Sequence, residues 1–146
     1  MAAPVCCDTS FLFSLYGRDG NTTRATAAAK RADQPVTLTA FNEFELLNAI
    51  HLAVFRQVLP PSEGTTIIAA FESDLANGNL VMANCNLSQV LTEAKRLSVI
   101  NTPTGGYRSF DILHVAAAVQ LSAKTFFSFD DNQRTLAQTV GLKVQP

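Results

Sequence analysis

Short apolar runs alternate with longer amphipathic or apolar segments along the whole chain. Runs of this kind, bounded by turn residues, indicate strands buried on both faces of a parallel sheet. The predicted strands are 5–7, 36–39, 80–83, 125–129 and 142–144. The predicted helices are 11–17, 22–32, 42–58, 62–76, 87–99, 109–123 and a short last helix that ends at Gly141. This alternation predicts an α/β sandwich with a mostly parallel central sheet of about five strands and right-handed crossovers.

Proline and glycine mark two boundaries among these helices. Pro60 and Pro61 are predicted to end the third helix, and Ser62 is predicted to cap the fourth. The stretch 101–107 contains one proline and two glycines, which predicts a loop.

Chain length and charge limit the class of protein. The 146 residues, 47% of them hydrophobic, are enough for one domain over 1–146 with a substantial core. The 11 basic and 12 acidic side chains give a formal net charge of −1. This balance excludes a protein that holds nucleic acid by bulk positive charge, but it does not exclude a nucleic-acid enzyme.

Cysteine usage and hydropathy predict a cytoplasmic protein with no membrane association. Cys6, Cys7 and Cys85 form no CxxC pair, and the chain has two histidines, so neither a disulfide framework nor a structural zinc site is expected. The N-terminus lacks the basic start of a signal peptide. The uncharged stretch within 75–92 is rich in asparagine and is not a membrane span.

Four carboxylates carry the candidate chemistry. Asp8 and Asp130 follow predicted strands, where ligands bind in open parallel sheets, and Glu45 and Asp111 lie in apolar helical segments. An acid in apolar surroundings needs a partner, because an unpaired buried charge is very costly. One Mg²⁺ or Mn²⁺ ion satisfies several carboxylates at once and retains waters for a substrate phosphate. The pattern therefore indicates a phosphodiester hydrolysis site.

Each of these acids also has a purely structural interpretation. Asp8 and Asp130 have the placement of helix N-caps, and Gln133 gives Asp130 the spacing of a capping box. Asp111 follows Arg108 by three residues, so the two side chains have the spacing of an ion pair at a helix start.

Three neighbouring residues are harder to assign. Glu43 and Glu45 are two residues apart and face different sides of a helix, so we expect only Glu45 in the site. Asp131 is expected to face solvent or to support Asp130 from behind. His114, three residues after Asp111, is expected to be a core or supporting histidine that contacts this acid.

Taken in order, the acidic segments resemble those of PIN-domain ribonucleases. The similar segments are Cys7-Asp-Thr-Ser-Phe-Leu12, Asn42-Glu-Phe-Glu-Leu-Leu-Asn-Ala49, Arg108-Ser-Phe-Asp-Ile-Leu-His-Val-Ala-Ala-Ala118 and Phe127-Ser-Phe-Asp-Asp-Asn-Gln-Arg-Thr-Leu-Ala137, followed by Gly141-Leu-Lys-Val144. The resemblance covers essentially the whole chain. Its size and lack of extra domains look most like the VapC-type toxins of toxin–antitoxin pairs.

The resemblance implies a three-layer α/β/α sandwich that cleaves RNA with Mg²⁺ or Mn²⁺. Carried over by motif, the carboxylate cluster is Asp8, Glu45, Asp111 and Asp130, with Asp8 and Asp111 closest to the first ion. It also implies a homodimer and a small VapB-like antitoxin that packs along the toxin toward the active site.

Supporting roles follow from the same motifs. Ser128 matches a family hydroxyl that orients a carboxylate or a metal-bound water, and Thr9 is a candidate for the same role. Arg108 is a candidate phosphate contact or a structural partner of Asp111.

Three other functions remain open at this point. An RNA-processing nuclease without an antitoxin shares every acidic motif. A non-catalytic α/β binding module uses the acids only to hold a structural ion. A phospho-acceptor receiver domain also has acids at strand ends, but here Asp8 stands alone after the first strand and Lys124 precedes its strand.

Overall fold

A computed structural model describes residues 2–146. The strands in this range are β1 Val5–Cys7, β2 Val36–Leu38, β3 Leu80–Met82, β4 Thr125–Phe127 and β5 Lys143–Gln145. The helices are α1 Thr9–Tyr16, α2 Thr22–Arg31, α3 Ala40–Phe55, α4 Pro61–Ala76, α5 Leu87–Gly105, α6 Ser109–Gln120 and α7 Asp131–Thr139. The predicted alternation of strands and helices is confirmed.

The strands form one sheet in the order β3-β2-β1-β4-β5, and every neighbouring pair is parallel. The chain starts in the centre, builds outward through β2 to β3, and then returns to the other side of β1 with β4. Strand order thus reverses between β1 and β4, and ligands bind at the carboxyl ends of the strands beside such a reversal. Asp8 follows β1 and Asp130 lies three residues after the end of β4, so both acids lie at this position.

Helices cover both faces of the sheet. Cys6 and Phe126 point into an apolar cluster with α5, α6 and α7, whereas Cys7 and Phe127 point into a second cluster with α1, α2, α3 and α4. Alternate strand residues therefore anchor two separate helical layers, because successive side chains leave a strand on opposite faces. The three-layer α/β/α arrangement is confirmed. Within residues 2–146, no helix combines the length and apolarity needed to cross a membrane.

The loop predicted at 101–107 is wrong for residues 101–105, because α5 continues through Pro103 to Gly105. Pro103 lacks the N–H that would bond the carbonyl of Val99, but both residues are exposed, so water can satisfy that carbonyl. The helix ends at Gly106, whose positive φ of 66° suits a left-handed C-cap and whose N–H donates to the Thr102 carbonyl at 2.8 Å.

Smaller boundaries also differ from the sequence prediction, among them the start of α4 and the end of β4. Ser62 does not cap α4: the helix begins at Pro61, and Pro60 occupies the N-cap position. Proline is favoured at the first helical position because its missing N–H would be unpaired there. The fourth strand ends at Phe127 instead of residue 129, although the Ser128 N–H still donates to the Gln145 carbonyl at 2.9 Å.

Candidate active site

A cleft of about 510 Å³ opens at the carboxyl ends of the central strands. Glu45 from α3, Asp111 from α6 and Asp130 before α7 all line it, together with Arg108. Thr9 and Ser10, at the start of α1, form another part of its wall. The fold thus brings three of the four predicted carboxylates to one cavity from three different elements.

Asp8 lies directly before this wall, but its side chain is fully buried at 0% exposure. Its Oδ1 accepts hydrogen bonds from the Phe11 N–H at 3.0 Å and the Ser10 hydroxyl at 2.7 Å, so Asp8 is the N-cap of α1. Its Oδ2 accepts from the Ser128 hydroxyl at 2.5 Å. Burial raises the pKa of Asp8, and these three hydrogen bonds oppose that rise. Asp8 is therefore the helix N-cap that the sequence allows, and its second oxygen also bonds Ser128.

Ser128 joins the ends of β1 and β4. Besides donating to Asp8, its hydroxyl oxygen accepts from the Asp130 N–H at 3.0 Å. Asp130 in turn caps α7, since its Oδ1 accepts from the Gln133 N–H at 2.9 Å. One buried hydroxyl thereby sets the spacing between two of the predicted acids.

Glu45 is held by a hydrogen bond with the buried His114. Its Oε1 lies 2.9 Å from Nε2 of His114, and the Glu45 side chain is 32% exposed while that of His114 is 0% exposed. Burial acts to raise the pKa of Glu45, but hydrogen bonds from His114 and Thr9 outweigh it, so the pKa is lowered. Thr9 also lies 3.3 Å from the same histidine nitrogen. His114 therefore bonds Glu45 and not Asp111, the acid that its spacing in the sequence predicts it to contact.

Asp111 is mostly buried on the first turn of α6 and faces the other acids. Burial raises its pKa, Arg108 opposes the rise, and the negative charges of Asp130 and Glu45 add to it. The Arg108 Nε lies 3.7 Å from Oδ2 of Asp111, and the Arg108 side chain is 84% exposed. This contact is long and solvated, so Arg108 does not neutralise the acid in the way a buried ion pair would.

The donor set suits a hard divalent cation. All the acidic donors are carboxylate oxygens, which Mg²⁺ and Mn²⁺ prefer, and the repulsion that raises the pKa of Asp111 is the repulsion a bound cation relieves. Within residues 2–146, however, no three His, Cys, Asp or Glu side chains stand close enough to form a ready ligand group. The donor atoms are those that a divalent metal ion prefers, but their positions in the described residues do not form a complete set of ligands.

Two acids from the same motifs lie away from the cleft. In the described part of the chain, neither Glu43 nor Asp131 lines it. Glu43 is half-buried on α3, and Asp131 is an exposed residue that begins α7. The basic side chain nearest Asp130 in sequence, Arg134, donates to the Ser128 and Pro146 carbonyls at 2.7 and 3.0 Å.

Sequence reasoning missed several polar residues of the site. Asn42 is buried beside His114, and Asp19 lines the cleft from the turn after α1, where it accepts from the Ser14 hydroxyl at 2.8 Å. Gln133 also lines the cleft, with its Oε1 buried and unpaired in the structure. The sequence carried one signal for Asn42, an amide at the start of a largely apolar helix, and none for Asp19.

Comparison with known proteins identifies the family. A sequence model of the PIN domain matches residues 5–138. In fold, the chain is similar to VapC20 of Mycobacterium tuberculosis, a sarcin-ricin loop cleaving toxin, with a TM-score of 0.71, 15% identity and coverage of 97% of this chain and 99% of that one. It is also similar to FitAcB of Neisseria gonorrhoeae, with a TM-score of 0.69, 19% identity and coverage of 97% and 96%. No curated protein matches the sequence.

The family match spans all four acidic segments in their order along the chain, and both structural similarities cover almost the entire chain. The receiver-domain alternative loses its basis, because the match and the fold agree on a different family. The resemblance carried by the acidic motifs is confirmed: this chain belongs to the PIN domain family.

Proposed function

We propose that residues 1–146 form a single-domain endoribonuclease that hydrolyses RNA phosphodiester bonds with Mg²⁺ or Mn²⁺. The observation that carries the proposal is the meeting of Glu45, Asp111 and Asp130 on one cleft, with Asp8 buried beside it. Four acids gathered from four segments of the chain cost stability unless a cation offsets their charge. The resemblance to PIN-domain ribonucleases supports the same chemistry.

The four acids divide into two roles in this proposal. Asp111, Glu45 and Asp130, which line the cleft, would hold the cation through carboxylate oxygens. Asp8, whose oxygens are already hydrogen-bonded, adds its negative charge and anchors the Ser128–Asp130 segment. A divalent cation held there supplies positive charge to the scissile phosphate and lowers the pKa of a bound water.

Arg108 supplies the substrate contact in this scheme. Its guanidinium is highly exposed at the cleft and only loosely paired with Asp111, so it is free to bind a phosphate oxygen of the RNA backbone. Thr9 and Ser128 orient carboxylates, since Thr9 hydrogen-bonds Glu45 and Ser128 hydrogen-bonds Asp8. Asp131 and Glu43, which lie away from the cleft, have no part in the reaction.

The biological role we propose is that of a toxin held inactive by a small VapB-like antitoxin. The structural similarity to VapC20 and FitAcB supports this role, and a homodimer in the cytoplasm is part of the same proposal. Three free cysteines in the structure agree with a reducing compartment.

The chemical proposal is tested with purified protein and a structured RNA transcript. We expect cleavage with Mg²⁺ or Mn²⁺ and none with EDTA. Asp111→Asn should reduce the rate at least about 100-fold, because it removes a ligand charge from the site. The matched control is Asp131→Asn, an exposed acid on α7 that should leave the rate unchanged. Full activity in EDTA, or in Asp111→Asn, contradicts the proposal, and metal binding without cleavage indicates the non-catalytic module.

Expression in cells separates the toxin from an RNA-processing nuclease. A toxin arrests growth when the wild type is expressed, and Asp111→Asn does not. Sequencing of the cut RNA ends then identifies the target. RNA cleavage without growth arrest, and without a short neighbouring gene for a DNA-binding antitoxin, indicates the processing enzyme instead.

A further inference from the structure

A chain of buried hydrogen bonds runs from the end of β1 to the Glu45 carboxylate. Asn42 and His114 are both buried, and neither contributes a group to the cleft wall. These hydrogen bonds link three segments: β1, which precedes Asp8; α3, which carries Glu45; and α6, which carries Asp111. They therefore connect the elements that deliver three of the four acids.

The orientation of the Asn42 amide is determined by its neighbours. Its Oδ1 accepts from the Thr39 N–H at 3.0 Å, and a backbone N–H is always a donor. Its Nδ2 donates to the Cys7 carbonyl at 3.1 Å, and a carbonyl is always an acceptor. A flipped amide would lose both bonds, so Nδ2 of Asn42 must face the Cys7 carbonyl and His114.

The fixed amide determines where His114 carries its proton. Nδ2 of Asn42 also lies 3.3 Å from Nδ1 of His114, and an amide nitrogen only donates, so Nδ1 must accept. Because Nδ1 accepts, it carries no proton, so the ring proton is on Nε2, which lies 2.9 Å from Oε1 of Glu45. We propose that Asn42 and His114 form a positioning relay that places this proton on Nε2 and thereby orients the Glu45 carboxylate.

The relay has a consequence for the metal chemistry, and this consequence rests on the proposed function. Because Oε1 of Glu45 bonds Nε2 of His114, the buried histidine fixes one oxygen of a partly exposed carboxylate that lines the cleft. Groups that orient a metal ligand from behind commonly change metal affinity about 10- to 100-fold when mutated. His114 and Asn42 are positioning residues, since neither lines the cleft.

The tautomer is measured directly on the metal-free wild-type protein by long-range ¹H–¹⁵N correlation of the histidine rings. The chain has two histidines, and His51 is exposed on α3, so it serves as the internal reference. We expect the His114 proton on Nε2. A proton on Nδ1 overturns the relay, whether or not the protein binds a metal.

Two substitutions separate positioning from packing. The amide nitrogen of His114→Gln reaches the former Nε2 position and can still donate to Glu45, whereas His114→Asn reaches only the former Nδ1 position. We expect His114→Asn to weaken Mn²⁺ binding, measured by calorimetry, about 10- to 100-fold, and His114→Gln to restore most of it. The control, His51→Asn, should bind Mn²⁺ as the wild type does.

Equal Mn²⁺ affinity in His114→Asn and the wild type overturns the relay, as does equal loss in His114→Asn and a folded His114→Gln. If His114→Asn fails to fold, the tautomer measurement decides the question. A wild-type protein that binds no Mn²⁺ refutes the proposed function, and the relay is then judged on the tautomer alone.

Discussion

The Ser128 hydroxyl donates a hydrogen bond of 2.5 Å to Oδ2 of Asp8, across 120 positions of sequence. The bond joins the ends of β1 and β4, which are neighbours in the sheet. The same hydroxyl accepts from the Asp130 N–H, so it lies between the two strand-end acids. A single serine hydroxyl thus links the two acids that follow β1 and β4.

Ser128→Ala should destabilise the protein by about 2 kcal/mol. The substitution leaves Oδ2 of a fully buried carboxylate without its donor, and hydrogen bonds to charged groups contribute roughly 1.5–3 kcal/mol. Urea unfolding in EDTA measures the change. The matched control is Thr135→Ala, which removes an exposed hydroxyl bonded to a helix carbonyl on α7. Equal effects of the two substitutions would contradict the role given to Ser128.

Asp8→Asn should stabilise the metal-free protein at neutral pH. Burial raises the pKa of Asp8 in the folded state, so folding favours its protonated form. Stability then falls as pH rises from the unfolded pKa through the raised folded pKa, and the loss is complete above it. Asparagine keeps an acceptor for the helix cap and avoids the buried charge. Its amide nitrogen, in place of Oδ2, can donate to the Ser128 hydroxyl oxygen, whose own proton can go to the Asp130 carbonyl at 3.3 Å. A gain on the order of 1 kcal/mol corresponds to roughly 3 °C in Tm for a domain of this size.

Unfolding measurements at several pH values test the predicted direction of this stability difference. In EDTA, the difference in unfolding free energy between Asp8→Asn and the wild type should grow as pH rises from about 4 to 7, starting near the unfolded pKa of an aspartate. A difference that shrinks over this range would contradict it. RNA cleavage by Asp8→Asn should fall at least about 10-fold despite the stable fold, because the negative charge beside the site is lost.

Glu45→Gln should abolish metal-dependent cleavage, and Glu43→Gln should not. The two glutamates lie on the same helix, but Glu45 alone of the pair lines the cleft and bonds His114. The comparison controls for local helix effects, since the same substitution is made two residues away. Single-turnover RNA cleavage at saturating Mn²⁺ measures both variants. A larger loss in Glu43→Gln would reverse the assignment.

Cys85 should be the fast-reacting thiol of the native protein. Burial raises the pKa of Cys6 to about 12 and that of Cys7 well above its usual value, so neither forms thiolate at pH 8. Cys85 is only partly buried, although its pKa is also raised. A thiol-specific dye should label one cysteine rapidly and all three after denaturation, and Cys85→Ser should remove the fast phase. Rapid labelling of two or more native thiols would contradict the burial of Cys6 and Cys7.

Strands and most helices could be predicted because their signals are local. Val5–Cys7 is apolar throughout and is followed at once by residues that favour a helix N-cap. This pattern is typical of a buried strand that leads into a helix. The prediction failed at residues 101–105, where proline and glycine signal a break in any sequence. Helix α5 continues there because the affected backbone lies at the surface, and burial is a tertiary property.

The sequence by itself determined the order of the elements, the family, and the four acids as candidates, because each depends on neighbouring residues or on motifs in series. Tertiary structure decided which acids face the cleft, that Asp8 is buried, and that His114 bonds Glu45 instead of Asp111. The bond between His114 and Glu45 spans 69 positions of the chain, and the bond that Ser128 donates to the buried Asp8 spans 120. No local pattern encodes them, since they exist only after the parallel sheet has brought β1 beside β4 and the helices have packed on its two faces.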